Sequence, residues 1–371
     1  MQIYINNPVS TTWIFTVILV AGLAISARFK TGSDLFPLAL TQELKGLAIL
    51  GIVFAHLGYF LAADHRFLFP LSIFAGIGVD LFLFLSGYGI TASTLKKRPS
   101  IIKFYRAGLV KLFTPFWLSL FLFLALDFFI FKIVYPWSFI GHALAGFFPT
   151  ANLYQDLNSP LWYFTLILFY YLLFPMVFCK KYPWLAATVL YFIGFYLTRF
   201  NPAWFSNVQQ LYQAHFIAFP LGVFIAWLFS KPVFLAKANL TKALNIKWLK
   251  QIGYYLMVLA LVAIIGYTAY YSGVGKGPVL EQRFSLITMA AIVVLFLFKK
   301  IEFRLFYWLG FYSYEIYLLH WPILYRYDLL YKYLPWPWLA TAIYLAVFLV
   351  LGIGLKKLSD IIVKKFQRLS F

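Results

Sequence analysis

The sequence predicts an all-α, polytopic membrane helix bundle, and three observations carry that prediction. The 371 residues are 63% hydrophobic, 22% aromatic and only 11% charged. A soluble globule averages about half apolar and about a quarter charged. Apolar runs of about 17–25 residues also recur along the whole chain, and that is the length a helix needs to cross a bilayer. Finally, the Lys and Arg residues sort by alternate loops. If about eleven spans are drawn, 24 basic residues fall on one side and 7 on the other. One missed or invented span would scramble that split. Basic loops mark the cytoplasmic face, so the N-terminus is expected outside and the C-terminus in the cytoplasm.

The spans fall near 10–27, 46–63, 75–94, 109–131, 161–179, 183–200, 212–230, 251–272, 284–298, 306–325 and 337–355. The whole chain, 1–371, reads as a single membrane-embedded domain. The first run lacks a basic leading segment and a clear small-residue cleavage site, so it is expected as a retained span. The net charge of +20 does not point to nucleic acid, because the cations sit in short loops, where they set orientation and meet anionic lipid. The single cysteine, Cys179, excludes an internal disulfide and a zinc–thiolate cluster. Five scattered histidines show no metal-ligand spacing.

Ionisable groups inside spans are costly and mark candidate sites. In the second span Lys45 precedes His56 by eleven positions. At about 100° and 1.5 Å per residue the two share a helix face about 16 Å apart. That suits a ligand with an anionic head at the membrane surface and a reactive end buried deeper. A snorkelling lysine and a packing histidine would give the same spacing. The third span carries Gly78-Val-Asp80 and then Ser86-Gly87-Tyr88-Gly89. Its small residues permit close approach of a helix or a ligand.

Lys103, Arg106 and Lys111 cluster before and at the start of the fourth span. They suit phosphates, and equally anionic lipid. Between the fourth and fifth spans, Asn152-Leu-Tyr154-Gln155-Asp156-Leu-Asn158-Ser159-Pro160-Leu-Trp162-Tyr163 mixes amides, a carboxylate and aromatics. The mixture suits sugar binding, and an interfacial aromatic belt explains Trp162 and Tyr163 equally well. In the tenth span Ser313, Tyr317 and His320 lie at i, i+4 and i+7 on one face, with Glu315 off that stripe. Asp127 and His215 lie nearer span ends. After the last span, 356–371 reads as a basic amphipathic helix on the inner leaflet. No phosphate loop, dinucleotide fingerprint, metalloprotease helix or nucleophile elbow is present.

Three of these segments, in this order, resemble the motifs of the acyltransferase-3 family. They are Lys45 to His56, Gly78-Val-Asp80 through Gly89, and Ser313-Tyr-Glu-Ile-Tyr317-Leu-Leu-His320-Trp-Pro322. The resemblance covers a core of about 41–355 and leaves the span at 10–27 as an addition. It implies transfer of an acyl group, usually acetyl, from cytoplasmic acyl-coenzyme A to a hydroxyl of a cell-envelope glycan or glycolipid. It implies His56 as the catalytic histidine, with Asp80 or Glu315 as candidates to orient it. It implies Lys45, Arg106 and Lys111 as contacts for the coenzyme A phosphates. Ser86, Asp156, Trp162, Ser313, Tyr317 and His320 are then the expected substrate contacts. Acetyl-coenzyme A is the expected donor, with no metal, and the expected location is the inner or plasma membrane. A lysine at position 45 supplies a point charge where an arginine would give a bidentate fork. Many relatives carry a fused extracytoplasmic hydrolase-like domain, and no segment here reads as one. A separate extracytoplasmic protein completing the transfer is therefore a further expected partner. The alternatives are a transporter or flippase for a lipid-linked glycan or organic acid, and a non-catalytic subunit.

Overall fold

A computed structural model describes residues 3–30, 36–97, 99–153, 156–200, 208–231, 247–273 and 277–368. Tyr154 and Gln155, four of the sorted cations (Arg98, Lys237, Lys242 and Lys276) and the last three positions of the expected tail helix, 369–371, lie outside these. The chain is helical almost throughout: α1 Pro8–Ile25, α2 Leu38–Gly58, α3 Ala75–Lys97, α4 Ile101–Phe131, α5 Trp137–Leu144, α6 Trp162–Val177, α7 Pro183–Arg199, α8 Gln209–His215, α9 Ala218–Phe229, α10 Lys247–Tyr271, α11 Pro278–Phe298, α12 Arg304–Phe311, α13 Ser313–Tyr325, α14 Leu330–Tyr333 and α15 Pro337–Arg368. Among the described residues, nine helical segments are long and apolar enough to cross a membrane.

Nine of the eleven expected spans overlap those segments, although the second runs over Leu38–Gly58 instead of 46–63 and the fourth already begins at Ile101, so Lys45, Lys103 and Arg106 lie inside helices. The other two differ for local reasons. Span 183–200 becomes α7, which has 17 residues. Span 306–325 is broken at Tyr312, whose backbone (φ −107°, ψ 13°) separates α12 from α13. The ninth span starts earlier than expected, at Pro278 after Gly277, because Glu281 and Arg283 are carried within the helix. The basic tail is no separate element: α15 runs through it to Arg368.

The centre of the bundle is α2, α3 and α8–α9, while α1 and α10 turn most of their surface outward. Two glycine contacts set the central packing. A Cβ on Gly87 would lie 2.2 Å from the Phe219 carbonyl oxygen, and one on Gly222 would lie 2.1 Å from that of Phe84. Backbone therefore meets backbone between α3 and α9, as small residues allow in membranes. Gly310 of α12 meets the Gln42 carbonyl of α2 in the same way. Gly87→Ala should therefore cost about 1–3 kcal/mol by overpacking. Gly89→Ala, which meets nothing within 4 Å, should leave the thermal midpoint in detergent unchanged.

Prolines interrupt α4 at Pro115 and α6 at Pro175. Each frees backbone carbonyls, and in each case a tyrosine from a neighbouring helix donates to the carbonyl three residues earlier. Tyr314 Oη reaches the Leu112 oxygen at 2.7 Å, and Tyr105 Oη reaches that of Leu172 at 2.6 Å. Kinked helices persist in a membrane only with such replacement donors.

The basic loops converge at one end of the bundle. Strand β1 (Ala27–Phe29) pairs antiparallel with β2 (Ile301–Phe303), joining the ends of α1 and α11. Beside it buried Glu43 accepts from Lys299 Nζ and from the Phe303 amide, both at 2.6 Å. At the opposite end Thr12 of α1 accepts from the Leu68 amide at 2.8 Å. Phe15 packs edge-on against Phe54. The additional first helix is thus fixed to the rest at both ends.

Candidate functional site

Two cavities approach each other inside the bundle. The first, about 550 Å³, lies at the basic end between α2, α3, α4, α6 and α13. Lys45, Lys97, Lys103 and Lys111 line it, together with Ser86 and Ser313. The second, about 280 Å³, is lined by His56, Tyr59, Trp162, His215, Glu281 and Ser285, among others. Phe82, Tyr163 and Tyr317 line both. The Tyr163 and Tyr317 rings meet edge to face at 5.4 Å. These three aromatic side chains form the partition between the cavities.

His56 sits on the second cavity, one side of that partition, while Lys45 opens into the first. The shared helix face expected from their spacing therefore serves two chambers. His56 Nδ1 lies 2.7 Å from His320 Nε2. His320 Nδ1 faces two helix carbonyls, of Ile316 at 3.1 Å and Tyr317 at 2.9 Å. Only an N–H suits that position, so neutral His320 presents a bare Nε2. His56 must then donate from Nδ1, leaving its Nε2 lone pair free. Among the described residues that Nε2 has no hydrogen-bond partner. Trp321 abuts the His56 ring edge-on at 4.9 Å, holding its plane.

His320 is fully buried behind His56 and lines neither cavity. Expected among the substrate contacts, it is instead held between the His56 ring and the carbonyls of its own helix. Asp80 does not meet His56 either. Its Oδ1 accepts from His215 Nδ1 at 2.8 Å and its Oδ2 from Ser285 Oγ at 2.5 Å. Glu315, the other candidate to orient His56, faces Lys356 at 3.9 Å and lies within electrostatic reach of Lys45. His56 is thus oriented by a histidine and not by a carboxylate.

The remaining expected residues divide in the same way. Ser86 lies against Tyr163 and Tyr171. Ser313 lines the basic cavity while its hydroxyl donates to the Gly310 carbonyl at 2.9 Å. Tyr317 Oη donates to the Pro160 carbonyl at 2.6 Å, and Asn158 Nδ2 donates to the Leu318 carbonyl at 3.0 Å. These bonds staple the start of α6 to α13 and bring Trp162 onto the second cavity. Arg106 is exposed and lines neither cavity. Lys103, Ala107 and Lys111 form the inward stripe of α4 at i, i+4 and i+8, and Arg106 is 100° off it. Asp156 accepts from the Asn152 amide at 2.7 Å and lines a separate pocket of about 230 Å³ with His142 and Thr150. Burial pushes its carboxyl above the usual range, against the amide that favours the charged form.

Sequence reasoning left Lys97, His215, Glu281 and Ser285 without a role at the site, and read Tyr163 only as part of a sugar-binding or interfacial segment. His215 was visible as an ionisable group near a span end, but its partner lies 135 positions away. Among the described residues no group of three or more His, Cys, Asp or Glu side chains is placed to hold a metal ion.

A family model described as an acyltransferase domain matches residues 44–356. No curated protein and no solved structure matches the chain.

Proposed function

The chain belongs to the acyltransferase-3 family of membrane acyltransferases, and on that premise we propose that it moves an acyl group, most simply acetyl, from cytoplasmic acyl-coenzyme A to a hydroxyl of a cell-envelope glycan or glycolipid. In this reading the protein is a multi-pass protein of the inner or plasma membrane with eleven spans. The basic end faces the cytoplasm and the N-terminus lies outside.

The observation that carries the proposal is the pair of cavities meeting at Phe82, Tyr163 and Tyr317, with His56 just beyond that partition. The donor enters the larger cavity, its phosphates on Lys45, Lys97, Lys103 and Lys111. Lysine ammonium groups bind phosphate as point charges. The slim pantetheine arm passes Ser86 and brings the thioester to the partition. The acceptor occupies the second cavity, where hydroxyls, a carboxylate and aromatic faces suit a sugar. His56 offers a free Nε2 at the junction, able to take the hydroxyl proton or to accept the acyl group transiently. Glu315 and Arg106 line neither cavity, so neither contacts donor or acceptor.

The test uses purified protein in nanodiscs with radiolabelled acetyl-coenzyme A. Wild type should consume thioester and label a lipid or glycan fraction, and His56→Ala should not. Donor binding at saturating concentration with no turnover in wild type would contradict the enzyme assignment for this donor and favour a transporter. Replacing Lys97, Lys103 and Lys111 together by Gln should raise the donor KM about tenfold or more. Because these contacts are the same in ground and transition states, kcat should change little.

A further inference from the structure

We propose that His215, held by Asp80, is the acceptor-side base of the site, and that His56 carries the acyl group between donor and acceptor. The inference rests on the acyltransferase reading and divides its chemistry between two imidazoles in one cavity.

His56 and His215 both line the 280 Å³ cavity, but their supports differ in kind. His215 Nδ1 donates to a carboxylate that is 0% exposed and is held by Ser285 as well. That bond fixes the tautomer and leaves Nε2 bare. The Nε2–Cε1 edge lies over Gly76, another lining residue, where a Cβ would stand 3.4 Å from Cε1 and 4.0 Å from Nε2. Nε2 has no hydrogen-bond partner among the described residues. Trp162 stacks on the ring at 5.8 Å and 22°, and Gln282 Nε2 ties α11 to the Gln213 carbonyl at 2.5 Å, close by in the chain.

A base must become a cation as it takes a proton. Asp80 stabilises the His215 imidazolium directly, as a carboxylate behind a catalytic histidine does. His56 has no such anion: its partner is another neutral imidazole, whose remaining proton is committed to helix carbonyls. The His56–His320 pair suits a nucleophile, which must shed a proton once acylated. A lone base in water would need only one of these devices, and this cavity contains both.

The steps balance. His56 Nε2 attacks the thioester carbonyl carbon, a C–N bond forms, the C–S bond breaks, and coenzyme A leaves as the thiolate. The acylated ring passes its Nδ1 proton to His320 Nε2. The acceptor hydroxyl then gives its proton to His215 Nε2 as its oxygen attacks the acyl carbon. The C–O bond forms, the C–N bond breaks, and His56 recovers its proton from His320. His215 returns its proton through solvent to the thiolate, giving ester and free thiol.

The test follows ¹⁴C-labelled acetyl-coenzyme A with full-length protein in nanodiscs, using water and hydroxylamine as acceptors. Water needs a base, whereas hydroxylamine is nucleophilic without one. His215→Asn keeps a donor to Asp80. It should release thiol once per protein and hold the label on His56, with discharge to water slowed about 10²-fold or more. Hydroxylamine should discharge the variant and wild type at similar rates. Asp80→Asn, which keeps the imidazole but removes its anion, should slow discharge to water by a smaller factor. Discharge to water as fast in His215→Asn as in wild type would overturn the proposal. So would steady thioester turnover in wild type without protein-bound label, which would leave the acyltransferase reading standing. Absence of any donor turnover in wild type would remove the parent reading itself.

Discussion

His56→Asn should lower thioester turnover by about 10²–10⁴-fold, the usual range for loss of a positioned acid–base group. The substitution removes the free Nε2 beside the Phe82–Tyr163–Tyr317 partition, yet an asparagine amide can still donate toward His320. Folding should therefore survive, and the donor KM should change little, because the lysines of the basic cavity are untouched. His320→Phe addresses the same site from behind. It removes the acceptor that fixes the His56 tautomer while keeping a ring of similar size. Turnover should fall by less than in His56→Asn, with the donor KM again unchanged. Initial rates against acetyl-coenzyme A concentration check both variants. If His320→Phe matched wild type in kcat, the histidine pair would have no part in catalysis.

The largest stability effect is expected from Arg326→Leu. Asp127, fully buried near the end of α4, is held by Arg326, Tyr135 and Tyr327. The two tyrosine hydroxyls donate at 2.5 and 2.6 Å, and Arg326 also donates to Tyr135 Oη at 2.8 Å and to the Asp156 carbonyl at 3.3 Å. This cluster joins α4 to the end of α13 and to the loop before α6. Removing the guanidinium leaves a buried carboxylate without its cation, a loss of about 3–5 kcal/mol. Thermal unfolding in detergent should show a large drop. Adding Asp127→Leu to the variant should recover much of it, because the uncompensated charge is then gone. No recovery in the double variant would mean that the hydrogen-bond geometry, rather than the charge, is what the fold requires.

How much of this was legible in the sequence follows from the range of the forces involved. Span placement depends on local apolar length, and nine of eleven placements overlap long apolar helices, with the second and fourth starts missed by eight residues because the basic residues there are carried within the helix. The break at Tyr312 was not legible, because Phe306 to Tyr325 has the length of one span and holds no proline before Pro322. The gathering of basic loops at one end was legible in part from charge alone, and the β1–β2 pairing of Arg28 with Glu302 joins two of those loops.

Site residues divide by whether local periodicity or helix packing decides their place. Ser86, Ser313, Tyr317 and Lys111 line the cavities because a helix has one inward stripe, and the same periodicity turns Arg106 away. Which carboxylate meets which histidine is settled by packing between distant helices. Asp80 meets His215 because Gly87 and Gly222 let α3 and α9 approach backbone to backbone, seating the end of α8 over the start of α3. No spacing within α2 or α3 carries that information. Glu315 likewise turns toward Lys356, 41 positions later in the chain.

The central claim is that the acyl donor reaches from the basic cavity to His56 through the aromatic partition. Photo-crosslinking tests it most directly, with a coenzyme A analogue carrying a diazirine at the thioester end and peptide mapping of the products. The account predicts adducts on Phe82, Tyr163, Tyr317 or His56, lost on competition with acetyl-coenzyme A. Competable adducts confined to other surfaces, with these four residues unlabelled, would contradict it.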